Sequence, residues 1–443
     1  MDVTERVAAF ALEFQPRDLP EGVRGIARAA ILDTLACAIG GRDEAVARIL
    51  REEVVAEGAR PAASIWGSRV RSSPARAALV NGASAHALDF DDVNWALQGH
   101  PSVPLLPAVL ASAEVSGASG EATLLAFVVG FEVEARLGQA FGRGHYERGW
   151  HPTATLGAIG ASVAAGRLLG LDAGALRRAI GIACSRVAGS RMNFGTDTKP
   201  LHAGLAAETG VWAASLALRG LTAREDGLEA DMGLADLYHG IRPLELPPLG
   251  RPFALEDPGL ELKPYPCCRF THRIIDAVLA LRDRNPECEL AALECEVDPF
   301  AQKILIYPGP RTGLEAKFSL PYCAAISWLD GPPQLRAFSD SNLARPELRL
   351  LLGRVSVRDS NDACERATAV FADGARDSET VRHARGTPAA PLSDAERFRK
   401  ARGLLEPVLG AAKSEALIAA VEGLDGLPRL DELIALLAPS GDD

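Results

Sequence analysis

Between about residues 21 and 240, apolar residues recur at i, i+3, i+4 and i+7, and glycines punctuate the ends of the runs. The spacing predicts helices over 23–39, ended by Gly40-Gly41, over 104–116, ended by Gly117, over 122–141, 153–169 and 173–188, and over 200–218, ended by Gly220. Many of these positions are Ala or Gly, which lets helices approach closely. The apolar residues also wrap around much of each helix instead of forming one stripe, the mark of helices buried on several sides in a large bundle.

A Pro-rich passage over 242–258 breaks this pattern, and the composition changes after it. A helix is predicted over 272–282, then short segments of strand type over 290–297, 353–358, 367–371 and 380–383, with a helix over 314–329 among them. The runs 393–405, 406–422 and 430–437 return to helical spacing. The expected fold is mainly α. A large all-helical domain takes residues 1–255 plus 393–443, and a smaller α+β lid domain takes 256–392. No internal repeat or low-complexity tract is evident.

Composition sharpens this. With 443 residues, 48% of them hydrophobic, the chain exceeds the ~250–300 residues at which single cores stop growing, so two domains are expected. A net charge of −11 with no long basic run argues against a nucleic-acid-binding surface, so any positive site must be local. No apolar stretch reaches the ~18–20 residues of a membrane span, and the start lacks the basic region and cleavage site of a signal peptide; a cytoplasmic protein is expected. Eight cysteines show no paired C-x2-C spacing for zinc or an iron–sulfur cluster and read as reduced thiols, several of them core filler.

Candidate chemistry gathers at four dipeptides, His100-Pro101, His151-Pro152, Lys199-Pro200 and Lys263-Pro264, each read as the mouth of a helix. Eight His, six Lys and 29 Pro would give about one such pair by chance. Proline presets the first helical turn and holds the preceding residue extended, so a basic side chain stands before the free N–H groups of the helix, a site for an anion. Because arginine supplies 41 of the 47 positive charges, Lys199 and Lys263 are not generic surface cations.

Around these dipeptides lie five clusters. His86-Ala-Leu-Asp89-Phe90-Asp91-Asp92 precedes His100-Pro101-Ser102, and its carboxylates are expected to orient an imidazole; Phe90 and Trp95 are out of place in a merely solvated loop. His86 reads as a helix-face histidine and Ser102 as the cap of the next helix. Gly149-Trp150-His151-Pro152-Thr153 leads a helix whose first turn is small and uncharged. Lys199 and His202 lie one turn apart near a helix end. Lys263, Arg269 and His272 are expected to converge on one anion, whereas Cys267 and Cys268 are poor metal ligands. In Ala316-Lys317-Phe318-Ser319-Leu320-Pro321-Tyr322, Tyr322 is a candidate phenolic donor.

HALDFDD with a following HPS, GWHPT, TKPLHAG, KPYPCCRFTHRIIDA and AKFSLPY together resemble the MmgE/PrpD family, which includes 2-methylcitrate dehydratase, cis-aconitate decarboxylase and iminodisuccinate epimerase. The resemblance covers roughly residues 5 to 420. It implies a large helical domain, a lid domain, a homodimer, and catalysis with no cofactor in a cleft between the domains. The implied pocket positions are Asp89, His100, His151, Lys199, Lys263, His272 and Tyr322. One departure bears on substrate: members acting on methylcitrate or cis-aconitate read DFDDT at the first motif, where this chain has Val93-Asn94, a methyl in place of a hydroxyl with an amide beside it.

The activity expected first is a dehydratase of the 2-methylcitrate type acting on a small polycarboxylate. In it Lys199, Lys263, His272 and Arg269 bind carboxylates, while His100, oriented by Asp89, and His151 exchange protons with the substrate. An epimerase or isomerase of a dicarboxylate, and a decarboxylase, are the alternatives within the family, and Val93-Asn94 leans toward the epimerase. A catalytically silent carboxylate-binding helical protein is the reading outside it. An aconitase-type route would need a cysteine-ligated cluster that the spacing does not suggest.

Overall fold

The computed structural model describes residues 2–360 and 362–439. Among the described residues there are twenty α-helices and two small sheets, so the chain is mainly α with a smaller α+β region. No helix among them is long and apolar enough to cross a membrane. Two compact units are distinguished: Met1–Met192 with Thr198–Leu262 and Ser393–Asp443, and Asn193–Asp197 with Lys263–Leu392.

In the first unit the helices Pro74–Ala87, Ser102–Ser116, Gly157–Leu168 and Thr198–Leu218 pack together. Small residues make this contact possible. A Cβ on Gly204 would lie 2.2 Å from the Leu79 carbonyl oxygen, and one on Gly82 would lie 2.9 Å from the Cα of Gly204. The Pro74–Ala87 and Thr198–Leu218 helices therefore touch backbone to backbone, and this crossing fixes where the C-terminal end of one, carrying His86, stands relative to the N-terminal end of the other, carrying Lys199 and His202.

Several boundaries differ from the predicted ones for local reasons. The helix expected over 122–141 runs as Gly120–Glu147, with Gly142 at φ 64° marking a kink. The 153–169 run splits into Pro152–Thr155 and Gly157–Leu168. Gly410, at φ 78°, places the break between two C-terminal helices after Asp394–Leu409 rather than at 405.

In the second unit a four-stranded sheet has the spatial order Val355–Asp359, Leu290–Val297, Glu365–Phe371, Arg376–Val381; the first pair is parallel and the others antiparallel. Leu293, Cys295 and Val297 are buried, while Glu294 and Glu296 reach the surface to pair with Arg376 and Arg358. The strand expected over 380–383 is Arg376–Val381. As an edge strand with no fully buried position, it lacks the apolar signal that marks its neighbours. The helices His272–Arg284 and Leu320–Asp330 pack with this sheet. The single helix expected over 314–329 is two, because Ser319 caps a new one, accepting from the Tyr322 amide at 3.3 Å.

Candidate active site

The acidic motif of the first unit follows directly on the Pro74–Ala87 helix. Asp89 ends the run with φ 51°, a left-handed conformation that Asp tolerates better than most residues. This turn sends the two carboxylates flanking Phe90 to different partners. Asp89 Oδ1 lies 3.1 Å from Lys199 Nζ, and both residues are buried. Asp91 receives two histidines instead: its carboxylate lies 3.0 Å from His86 Nδ1 and 2.9 Å from His100 Nδ1. The expectation that Asp89 orients His100 is therefore corrected. Asp91 does so, and Asp89 anchors the lysine.

His100 Nδ1 also lies 2.9 Å from the Asp92 carbonyl. With acceptors on two sides, this nitrogen carries a proton, which fixes the tautomer and orientation of the ring. The His100 amide donates to Thr153 Oγ1 at 2.9 Å, which ties this segment to the start of the helix after His151. Three imidazoles consequently gather: the ring centroids lie 4.4 Å apart for His86 and His100, 5.9 Å for His86 and His151, and 6.4 Å for His100 and His151. A fourth joins them, since His202 Nδ1 is 3.1 Å from His151 Nδ1.

Burial dominates the ionisation of this cluster. It pushes His86 down to about 3 against the pull of Asp91, with Lys199 and His100 adding to the depression. Burial, then His202 and Lys199, hold His151 well below the ordinary histidine value, and burial with Lys199 brings His202 to about 4. For Asp91, burial acts upward, but the imidazoles of His86 and His100 win and keep it well below the usual carboxylate range. Asp92 is raised by burial in spite of the hydrogen bond from the Ser102 hydroxyl. The site thus holds the Asp91 carboxylate, the buried Asp89–Lys199 ion pair, and three imidazoles, His86, His151 and His202, that burial keeps from charging.

Donor atoms of His86, Asp89, Asp91 and His100 lie within 4.8 Å of one another, a set able to ligate a metal. The same atoms already serve as hydrogen-bond or ion-pair partners, and the Lys199 ammonium 3.1 Å from Asp89 opposes a cation there.

Other expectations are corrected here. Ser102 does not cap the next helix; Pro101 stands at that position and the Ser102 hydroxyl donates to Asp92. Lys199 lies within the first turn of its helix, which begins at Thr198, and Lys263 precedes a bend, with helical turns beginning only at Arg269. His151 is the residue before its helix, as read, and His100 precedes Pro101. The Asn94 amide is not offered to a ligand. It donates to the Ala254 and Gly259 carbonyls at 3.1 and 2.9 Å, while its oxygen accepts from the Leu97 amide at 3.1 Å. Val93 pairs its backbone with Glu261 in both directions at 2.9 Å.

In the second unit Lys263, Arg269, His272 and Lys317 are all buried. His272 Nε2 donates to the Cys267 carbonyl at 3.2 Å, and the ring stands edge-on to Tyr265 at 5.2 Å. Asp276 and Glu365 are both raised by burial, offset for Asp276 chiefly by the Tyr265 hydroxyl and for Glu365 by Arg273, with Arg269 adding to each. Tyr322 belongs to the hydrophobic core of this unit: its hydroxyl donates to the Ala337 carbonyl and accepts from Asn342 Nδ2 at 3.0 Å, and burial pushes it up to about 12. A phenol committed in both directions and that reluctant to ionise is a buttress, so its expected role as a donor to substrate is withdrawn.

His86, expected as a helix-face histidine only, joins the site, and Asp91 is the one of the motif's three carboxylates that meets two imidazoles. Their signal was present as a histidine and an aspartate on either side of a helix-ending turn. His202, one turn from Lys199, is brought in by its packing against His151.

The chain matches the MmgE/PrpD N-terminal domain over residues 5–247 and the MmgE/PrpD C-terminal domain over residues 265–426. It is 30% identical to cis-aconitate decarboxylase of Homo sapiens over 459 residues, covering 98% of this chain and 94% of the relative. It is also 30% identical to the Mus musculus cis-aconitate decarboxylase, covering 100% and 94% of the two chains, and 28% identical to that of Aspergillus terreus, covering 98% and 96%.

Proposed function

The chain belongs to the MmgE/PrpD family, and on that footing we propose that it is a cofactor-independent lyase acting on a small di- or tricarboxylate by proton transfer at a carbon beside a carboxylate. The observation that carries this reading is His100, whose Nδ1 is held between the Asp91 carboxylate and the Asp92 carbonyl, an arrangement that orients the ring for work as a base or, once protonated, as an acid. Asp91 balances the imidazolium that forms when the ring takes a proton, and it fixes the tautomer throughout.

Decarboxylation of cis-aconitate is the first reaction to test, because relatives matching over nearly the whole chain are cis-aconitate decarboxylases. In that reaction CO2 leaves with cleavage of a carbon–carbon bond, the electron pair passes through the allylic system, and a histidine delivers a proton to carbon. Lys199, Lys263, His272 and Arg269 are proposed to hold the carboxylates and the developing charge. Lys199 reaches such a carboxylate by sharing its ammonium between the substrate and Asp89.

Dehydration of the 2-methylcitrate type is the second reading; burial, His202 and Lys199 keep His151 unprotonated, the form in which an imidazole accepts a proton. The epimerase loses the support it drew from Asn94, whose amide is bonded to backbone.

Incubation with cis-aconitate and with 2-methylcitrate, followed by proton NMR in deuterated solvent, separates the three. A decarboxylase gives a shortened alkene with deuterium at one carbon, a dehydratase gives an alkene by loss of water, and an epimerase exchanges deuterium without making an alkene. Near wild-type turnover in both His100→Ala and His151→Ala would overturn the proposal.

A further inference from the structure

The carbonyl of Phe90, between Asp89 and Asp91, is reached from a helix more than three hundred residues away in the chain. Lys400, on Asp394–Leu409, donates from Nζ to the Phe90 oxygen at 2.6 Å, pairs with Asp33 Oδ1 at 2.7 Å, and lies 4.0 Å from the centroid of the Phe90 ring. Both charged groups are almost fully buried, their side chains 6% and 8% exposed.

From this geometry we infer that Lys400 is a positioning residue for the acidic turn, clamping Phe90 so that the aspartates on either side stay on their separate partners. A buried ammonium is tolerated only where its donors are satisfied, and here one carboxylate, one carbonyl and one ring face surround it. Two of those three contacts are to Phe90. The clamp thus acts where the chain must hold a left-handed φ at Asp89 and deliver Asp89 to Lys199 and Asp91 to His86 and His100 within three residues. A backbone that relaxed at Phe90 would move both carboxylates at once. The compact ammonium also explains lysine here in an arginine-rich chain: a planar guanidinium cannot serve carboxylate, carbonyl and ring face from a single atom.

The role in turnover rests on the proposed proton-transfer function, whereas the geometric role does not, and the test separates them. Ring nitrogens of selectively 15N-labelled histidine are recorded by long-range correlation NMR in the full-length wild type, in Lys400→Met and in Arg167→Met. Turnover is measured with cis-aconitate and 2-methylcitrate. Arg167, which donates to the Ala11 and Phe14 carbonyls, supplies a control cation that binds backbone away from this turn.

Lys400→Met is expected to shift the His86 and His100 resonances and to lower kcat by about 10- to 100-fold, the scale of an ångström-level misplacement, while Arg167→Met leaves both at wild type. Asp33→Asn, which removes the carboxylate with little change of volume, is expected to act in the same direction and serves if Lys400→Met does not fold. Wild-type ring resonances in whichever of the two variants folds would overturn the inference. Absence of turnover in the wild type on either substrate would count against the proposed function alone.

Discussion

His151 and His202 face one another through their Nδ1 atoms at 3.1 Å. Two imidazoles in this relation share one hydrogen: if one Nδ1 carries it, the other must offer a lone pair. The pair therefore opposes double protonation, and burial with the nearby Lys199 opposes even single protonation. A histidine proposed to exchange protons with substrate through Nε2 is thus steered at its other nitrogen by a second histidine, on the helix that also carries Lys199.

The ionisation of His202 gives a sign-definite stability test. Its pKa falls from the ordinary 6.5 to about 4 in the folded protein, so below pH 6.5 the unfolded chain binds a proton that the folded one refuses. The stability contribution is intact above pH 6.5 and is lost as pH falls toward 4. His202→Gln removes this titration and loosens the restraint on His151, so both effects flatten the acid limb. Urea unfolding at pH 7, 5.5 and 4.5 should show the variant gaining on the wild type by up to about 1.4 kcal/mol per pH unit within that window. A gap that stays constant with pH would contradict the assignment.

Tyr322→Phe is expected to cost stability and spare catalysis. It deletes a hydroxyl that donates to the Ala337 carbonyl and accepts from Asn342, which stay bonded to each other at 2.9 Å, so the cost is that of lost hydrogen bonds, about 0.5–1.5 kcal/mol each. The denaturation midpoint should fall while kcat at a permissive temperature stays near wild type. A large loss of kcat in a stable Tyr322→Phe protein would return the phenol to the reaction.

The helical unit was legible because its core helices carry apolar spacing, with Gly and Ala where backbones meet, as at Gly82 and Gly204. The Arg376–Val381 strand was displaced in the reading because an edge strand alternates polar with half-buried residues and leaves little apolar trace. In the site, residue types were visible and partnerships were not. Asp89 and Asp91 differ by two positions, and only the left-handed φ of Asp89 decides which meets a lysine and which meets the histidines. Asn94 shows the converse, since an amide beside a candidate pocket reads as a ligand group until its three backbone bonds are seen.

Asn94→Ala accordingly tests whether that position sets substrate preference. The substitution strands the Gly259 carbonyl and the Leu97 amide, while the Ala254 carbonyl keeps the Gly259 amide at 3.3 Å, and should destabilise by about 1–3 kcal/mol for each group left dry. The ratio of kcat/KM between cis-aconitate and 2-methylcitrate should stay at its wild-type value. A reversed preference would make Asn94 a specificity residue despite its bonds.

Asp91→Asn and Asp89→Asn separate the two jobs within the acidic motif. An amide at 91 offers one oxygen and one NH2 where two Nδ1–H donors now converge, so at least one imidazole must flip its tautomer or lose its partner. If His100 is the affected ring, its Nε2 gains a hydrogen and ceases to be a base, and the positive ring loses its counter-charge. The expected loss in kcat is about 10²- to 10⁴-fold, the range for general acid–base groups, and at fixed temperature it should persist at saturating substrate. At 89, by contrast, asparagine tolerates the same left-handed φ, and the change removes only the charge paired with Lys199. The freed ammonium would then bind substrate carboxylate without competition, so KM should fall or hold while kcat changes less than in Asp91→Asn. Steady-state kinetics of the two variants, with circular dichroism to confirm folding, decide the matter. A larger kcat loss in Asp89→Asn than in Asp91→Asn would restore Asp89 as the residue that orients His100.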